Sequence, residues 1–371
     1  MRRCTKIILL GALFLFSTLV IGDETKLIYL FKGGVKVNPG KVITKKDLAV
    51  EPAQGKFFSQ SWTFVYYLDD GGGGYIQFSS ARFGYTIKNI LVHHSHYTAE
   101  GKLVYRKEIL SANDIKWDEK EPKLSMGNSS WTGFYPEFHL VIPLPGLETD
   151  LIFQCLTPPW RPGEGPVHYG SKEGDWYDVV IPIPLARVSG TIKAEGKEKK
   201  VSGFGYCDHN TQTVWFMTQC EELYALRSFS PNWAIHFLDY HSPAAFGYKR
   251  MSWLIVIKQG KIIYATDDYK IEPSDWAKEP KRGRKYPQKA RIIIDSPEIL
   301  LEGDIKGLKL LDVLDVRDET PKWAEPVLSK LIREPAFLRE KAEVSWKINF
   351  QGKEEIIPAQ GIFEYTIVEK D

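Results

Sequence analysis

Cysteine is scarce, with four in 371 residues, so no dense disulfide framework can carry this fold. Cys4 lies in a basic N-terminal stretch, leaving Cys155, Cys207 and Cys220. Those three allow one bridge and one buried thiol, or three free thiols. A Cys207 to Cys220 bridge requires the segments flanking Thr211 and Gln212 to form a hairpin, and spacing leaves both outcomes open. Excess charge of one sign is also missing. A formal charge of +2 gives no global field to recruit nucleic acid, so no nucleic-acid partner is expected. No Gly-x-Ser-x-Gly elbow is present, which leaves nucleophilic hydrolysis without support. The apolar run from Ile7 to Ile21 is 15 residues, short of the roughly 20 a membrane-spanning helix needs.

That run follows Arg2, Arg3 and Lys6 and precedes Gly22 and Asp23, the basic, apolar, small order of a secretory signal. Residues 1–22 are therefore predicted to be a signal peptide cleaved near Gly22, and the mature chain to be exported to a periplasm or the exterior. Cleavage removes three of 49 basic residues and none of 47 acidic ones, turning +2 into −1.

Aromatic residues, in contrast, are plentiful at 13%, with 11 Trp, 18 Tyr and 19 Phe, which favours strands. Length alone predicts two domains. Short strand-like runs recur between turn residues, as in a barrel or sandwich. Ser61 to Ser79 reads as a hairpin around the glycines at 71–74. A phosphate loop is not supported there, because a strand follows in place of a helix. Tyr85 to His96, Lys102 to Ile109, Lys123 to Met126, Glu137 to Ile142 and Leu151 to Leu156 continue the series. An ordered connector over Thr157 to Pro184 places a domain boundary near Asp178, giving domains 23–178 and 179–371. Beyond it, Leu185 to Lys193 and Lys199 to Asp208 flank the Ala194-Glu195-Gly196 turn. Thr213 to Thr218, Leu223 to Phe229, Trp233 to Tyr240, Trp253 to Ile257 and Lys261 to Thr266 follow as strands, the last two as a hairpin around Gln259-Gly260. Val327, Leu328, Leu331 and Ile332, between Pro321 and Pro335, predict one short helix over Trp323 to Glu334. Ala342 to Phe350 and Gln360 to Val368 close the chain around Gly352.

The densest motif is Gly203-Phe204-Gly205-Tyr206-Cys207-Asp208-His209-Asn210, whose glycines read as clearing space around an adjacent carboxylate and imidazole. It follows Pro158-Pro159-Trp160-Arg161-Pro162-Gly163, His168-Tyr169-Gly170, Asp175-Trp176-Tyr177 and Ala186-Arg187-Val188-Ser189-Gly190-Thr191-Ile192. Gly361-Ile362-Phe363-Glu364 comes near the end. Together these resemble the lipocalin-like family that holds carotenoid hydratase (hydroxyneurosporene synthase), fungal decalin-forming Diels–Alderases and a yeast oxidative-stress survival factor. The resemblance runs from about Ser61 to the end. It implies an all-β fold of two tandem lipocalin-like antiparallel β-barrels, with a greasy ligand in or between them. Two departures stand out: Thr211 and Gln212 follow Asn210 where relatives commonly place Trp, and Cys207 stands where relatives often have His.

On a strand, Asp208 and His209 face opposite sides, so Asp208 shares its side with Tyr206 and Phe204. A carboxyl among rings inside a barrel is desolvated, holds its proton more tightly and could protonate an alkene. By resemblance, Asp208 takes the acid role, supported by His209 and Tyr206. Backbone satisfaction or ion pairing is the structural alternative. Phe204, Asn210, Trp215, Trp233 and Trp176 are the candidate ligand-binding residues, although most Trp side chains are expected in the core.

His93-His94-Ser95-His96 places His94 and His96 on one face, but no third ligand lies at a supporting spacing, so no metal and no cofactor is expected. The basic stretch from Lys278 to Arg291 reads as a solvated loop, with anionic membrane headgroups as the functional alternative. The function expected is an exported protein binding a hydrophobic small molecule, a lipid or an isoprenoid, in a β-barrel cavity. The alternative is a hydratase, cyclase or isomerase acting on an isoprenoid or polyene by acid catalysis from Asp208. A structural protein whose aromatics merely pack is a third outcome.

Overall fold

The computed structural model describes residues 27–83, 87–315 and 334–369. The leader lies outside them. So does the helix expected over Trp323 to Glu334, apart from Glu334, which begins a strand.

The chain is nearly all antiparallel strand. The first thirteen strands are β1 (Leu27–Tyr29), β2 (Ser59–Leu68), β3 (Gly73–Phe83), β4 (Ile87–Tyr97), β5 (Leu103–Leu110), β6 (Ile115–Asp118), β7 (Lys123–Met126), β8 (Ser129–Phe134), β9 (Glu137–Leu144), β10 (Leu147–Cys155), β11 (Val167–Gly170), β12 (Asp175–Ala194) and β13 (Lys197–Gln212). They form one sheet in the order β5-β4-β3-β2-β13-β12-β10-β9-β8-β7-β6, with β11 and then β1 added beside β12. The second sheet holds β14 (Glu222–Phe229), β15 (Trp233–His241), β16 (Arg250–Lys258), β17 (Lys261–Thr266), β18 (Lys270–Lys278), β19 (Lys285–Asp295), β20 (Ile299–Asp315), β21 (Glu334–Phe350) and β22 (Lys353–Glu369). Its order is β17-β16-β15-β14-β22-β21-β20-β19-β18.

Local sequence explains the hairpins. Glu195-Gly196, Gln259-Gly260 and Gln351-Gly352 each place both central residues at positive φ, the geometry of a two-residue turn matched to strand twist. Pro182 and Pro184 donate no backbone hydrogen bond, and the β12–β13 register shifts twice across them, between Val180 and Ala186. The long β12 bends there rather than ending.

Three expectations are corrected. The change of sheet falls between Gln212 and Glu222, not at Asp178: β12 and β13 hydrogen-bond into the first sheet, with Asp208 opposite Thr63 of β2. Thr213 to Thr218 is not a strand. The chain crosses between sheets there, and Phe216–Gln219 forms one helical turn, with the Thr218 and Gln219 amides donating to the Trp215 carbonyl. Lys278 to Arg291 is a β18–β19 hairpin rather than a loop. The Glu279 carboxylate accepts from the backbone amides of Lys281, Arg282 and Arg284 at its turn, and the basic residues of β19 alternate with buried Tyr286, Ala290, Ile292 and Ile294.

Each sheet curls around its own core. Trp62, Phe64, Trp131 and Phe153 pack inside the first, and Phe237, Ile292, Leu301 and Trp346 inside the second. A third cluster lies between them, where Val65, Tyr75 and Tyr206 of the first sheet meet Leu223, Leu238 and Trp253 of the second. Cys155, Cys207 and Cys220 are all free and buried.

Candidate functional site

Strand alternation sorts the central motif onto two faces. Cys207 packs in the first core, whereas Tyr206 joins the cluster between the sheets. Gly205 points inward, where an added Cβ would lie 2.4 Å from the Phe153 ring. This glycine thus makes room for core packing and not for a ligand.

Asp208 projects outward between the sheets and lines a pocket of about 280 Å³ there. The expected position inside a barrel is therefore wrong. Each barrel interior holds its own hydrophobic cluster, and the carboxylate sits on the outer face of the first. Its Oδ1 accepts from Asn210 Nδ2 at 2.5 Å, and its Oδ2 from Arg227 Nη2 at 3.2 Å. The Tyr177 hydroxyl donates to Asn210 Oδ1 at 2.6 Å, which fixes the amide. Arg227 comes from β14 of the other sheet, and its guanidinium lies over the Tyr206 ring at 4.5 Å. Burial has the largest influence on Asp208 and pushes its carboxyl above the usual range, while Arg227 pulls the other way.

A second charged cluster completes the floor. Arg339 donates to Glu364 Oε2 at 2.6 Å and to Asp312 Oδ2 at 3.3 Å, and its guanidinium lies 4.0 Å from the centre of the Tyr75 ring. Tyr97 donates to the same Asp312 oxygen at 2.8 Å. The walls combine rings (Tyr75, Tyr177, Tyr240, Trp253) with Leu223 and Leu238. Partly exposed Ser59, Ser61, Ser79 and Ser80 line its outer part.

The other expected site residues divide. Asn210 lines the pocket with Asp208. Tyr206 is fully buried beside them, where its hydroxyl acts on the Asp208 carboxyl and, with Arg227 and Asn210, partly offsets the effect of burial. His209 is turned away into the first core, stacked on Trp62 at 4.4 Å, with Nδ1 bonded to the Ser61 carbonyl at 3.0 Å. Burial brings its proton affinity down to about 4, so it is a neutral packing group that cannot orient Asp208. Phe204 stacks on Phe229 at 5.8 Å, outside the pocket lining. Trp215 stacks on Phe57 at 5.2 Å, and its neighbour Phe216 lines the pocket instead. Trp233 belongs to the second core. Trp176 lies on β12, where its carbonyl accepts from the amides of Thr213 and Val214, also away from the pocket.

Arg227, Arg339, Glu364 and Tyr75 join the site with little warning in the sequence. One local signal existed: Arg227 is the only charge in the apolar run Leu223 to Phe229. His94 and His96 do share a face, where both bond the Tyr66 hydroxyl, at 2.7 and 2.9 Å, inside the first barrel. Burial drives both imidazoles toward the neutral form. Among the described residues, no group of three or more His, Cys, Asp or Glu is placed to hold a metal ion, and no helix is long and apolar enough to cross a membrane.

The fold is shared with solved structures at low identity. A Nitrosomonas europaea protein provisionally designated AttH matches with a TM-score of 0.64 and 15% identity, over 90% of this chain and 99% of that one. CghA with Sch210972 gives a TM-score of 0.61 and 13% identity, over 94% and 100%. Kievitone hydratase from Nectria haematococca gives 0.57 and 10%, over 94% and 100%. No curated protein sequence matches this one. A model of the Svf1 family matches residues 44–368, most of the sequence and the whole of both sheets beyond β1 and the final residue of β22, and the chain belongs to the Svf1 family.

Proposed function

We propose that this protein binds a small, largely apolar molecule in the pocket between its two β-barrels. The observation that carries this reading is the pocket itself: a space of about 280 Å³ where rings and aliphatic side chains meet a set of convergent polar and charged groups, Asp208, Asn210, Arg227, Arg339 and Glu364 among them. Ligand sites are concave and combine apolar walls with orienting polar groups; this one is richer in polar groups than most, and its volume falls just below their usual range of about 300–1,000 Å³. That volume suits a compact molecule or one end of a longer lipid or isoprenoid. The structural relatives add support, since one was solved with Sch210972 and another is named for hydrating kievitone.

Native mass spectrometry of the purified full-length chain tests this. A co-purifying apolar molecule is expected, and Ser79→Trp, at a partly exposed position of the pocket lining, is expected to strip it without unfolding the protein. An unladen wild-type chain, or retention in the variant, would remove the pocket as the site.

A second reading, acid catalysis on an isoprenoid or polyene, is favoured by the position of Asp208 on the pocket wall and by the burial that raises its proton affinity. Arg227 opposes it by favouring the carboxylate. Asp208→Asn is expected to retain the co-purified molecule while abolishing any conversion of it on incubation. Unchanged conversion would exclude the residue as the acid.

Export is supported by the Arg2 to Asp23 pattern, and N-terminal sequencing of secreted material for a start near Asp23 checks it. Ion pairing of the Lys278 to Arg291 hairpin disfavours headgroup contact through it. Several of its cations already meet acids: Lys289 with Asp275 at 2.5 Å, Arg291 with Glu302 at 2.7 Å, and Arg284 with Asp315 at 3.1 Å.

A further inference from the structure

The two arginines of the pocket are not equivalent. Arg339 is held by two carboxylates, Glu364 at 2.6 Å and Asp312 at 3.3 Å. Arg227 meets one, Asp208 at 3.2 Å through Nη2. Its Nη1 reaches the Phe237 carbonyl at 3.4 Å, near the limit of a hydrogen bond, and its Nε is buried with no partner. A guanidinium has five N–H donors, and the contacts to Phe237 and Asp208 use one proton each of Nη1 and Nη2, so the Nη groups of this pocket-lining arginine keep donors unspent. Leaving a buried donor unpaired is costly, and an incoming acceptor removes that cost.

Charge decides what kind of acceptor fits. Asp208, Asp312 and Glu364 outnumber Arg227 and Arg339 around this floor, so a further anion meets a neighbourhood already balanced or negative. A neutral oxygen avoids that repulsion. The rings of Tyr206 and Trp253, with centroids 4.5 and 5.9 Å from the guanidinium carbon, flank the same donors with apolar surface.

We infer that Arg227 recognises a neutral carbonyl oxygen on the ligand, so that the class bound is an apolar ketone, ester or amide and not a free acid or a plain hydrocarbon. This rests on the assignment of the pocket as a ligand site.

Equilibrium dialysis of the full chain against three probes of matched size, 2-acetonaphthone, 2-ethylnaphthalene and 2-naphthoate, separates the two claims. The ketone is expected to bind about tenfold more tightly than the hydrocarbon, the scale of one hydrogen bond from a charged donor, and more tightly than the carboxylate. Arg227→Lys, which keeps the charge but has a shorter reach and loses the fork, is expected to shrink the ketone's advantage over the hydrocarbon severalfold. Should that variant not fold, the infrared carbonyl stretch of bound 2-acetonaphthone decides, a downshift from its value in an apolar solvent being expected. Equal binding of ketone and hydrocarbon, tightest binding of the carboxylate, or an unshifted stretch overturns the inference and leaves the pocket assignment standing. Binding of none of the three overturns the assignment itself.

Discussion

Replacing Arg227 with methionine is expected to cost about 3–5 kcal/mol of stability, because it strands the Asp208 carboxylate without its counter-ion between the sheets. Both partners are almost wholly buried, with side-chain exposures of 6% and 9%. Water therefore cannot replace what is lost. The loss is a desolvation cost and not the worth of the pair, and this distinction predicts the second half of the result. Asp208→Asn in the Arg227→Met background should recover most of the stability, since a neutral amide in that position no longer needs a cation. Chemical denaturation of the wild type, both single variants and the double variant gives the coupling energy. If the double variant is as unstable as the sum of the singles, the two groups act independently and the pair does not join the sheets. The same cycle bears on mechanism, because a carboxylate that depends on Arg227 for its charge is a poorer acid than its burial alone suggests.

The second large effect lies away from the pocket. Glu340 on β21 is 3% exposed, and burial pushes its carboxyl from 4.5 up to about 7. It lies against Gly307, where an added Cβ would fall 2.4 Å from Oε1. Below pH 4.5 the group is protonated whether the chain is folded or not, and stability is unaffected. Between about pH 4.5 and 7 the unfolded chain gives up this proton while the folded chain keeps it, so stability falls as pH rises and then levels off. The accumulated cost is on the order of 3 kcal/mol. Glu340→Gln should accordingly raise the unfolding free energy by roughly that much at pH 8 and by almost nothing at pH 4. Urea titrations at both values check it, and a gain independent of pH would mean that the carboxyl is not held protonated by burial.

Much of the fold was legible because its determinants are local. Alternation and paired turn residues marked most strands, and the period of two alone put Asp208 and His209 on opposite faces. The hairpin of β18 and β19 escaped notice for a physical reason: its charges sit on the outward positions of strands whose inward positions are buried, so the charge run masked the alternation.

Strand periodicity and turn chemistry act over a few residues, so the all-β class could be read locally, while the family and its tandem barrels rested on the resemblance carried by the motifs around Gly203 to Asn210. The pairing of β13 with β2, some 145 residues earlier in register and in the middle of the first sheet, and the meeting of its outer face with β14 emerge in the folded chain alone. That choice turned Asp208 from a barrel interior to the seam between two barrels and gave it Arg227 as a partner. Neither event has a local signature, because long-range strand pairing depends on which buried faces fit together.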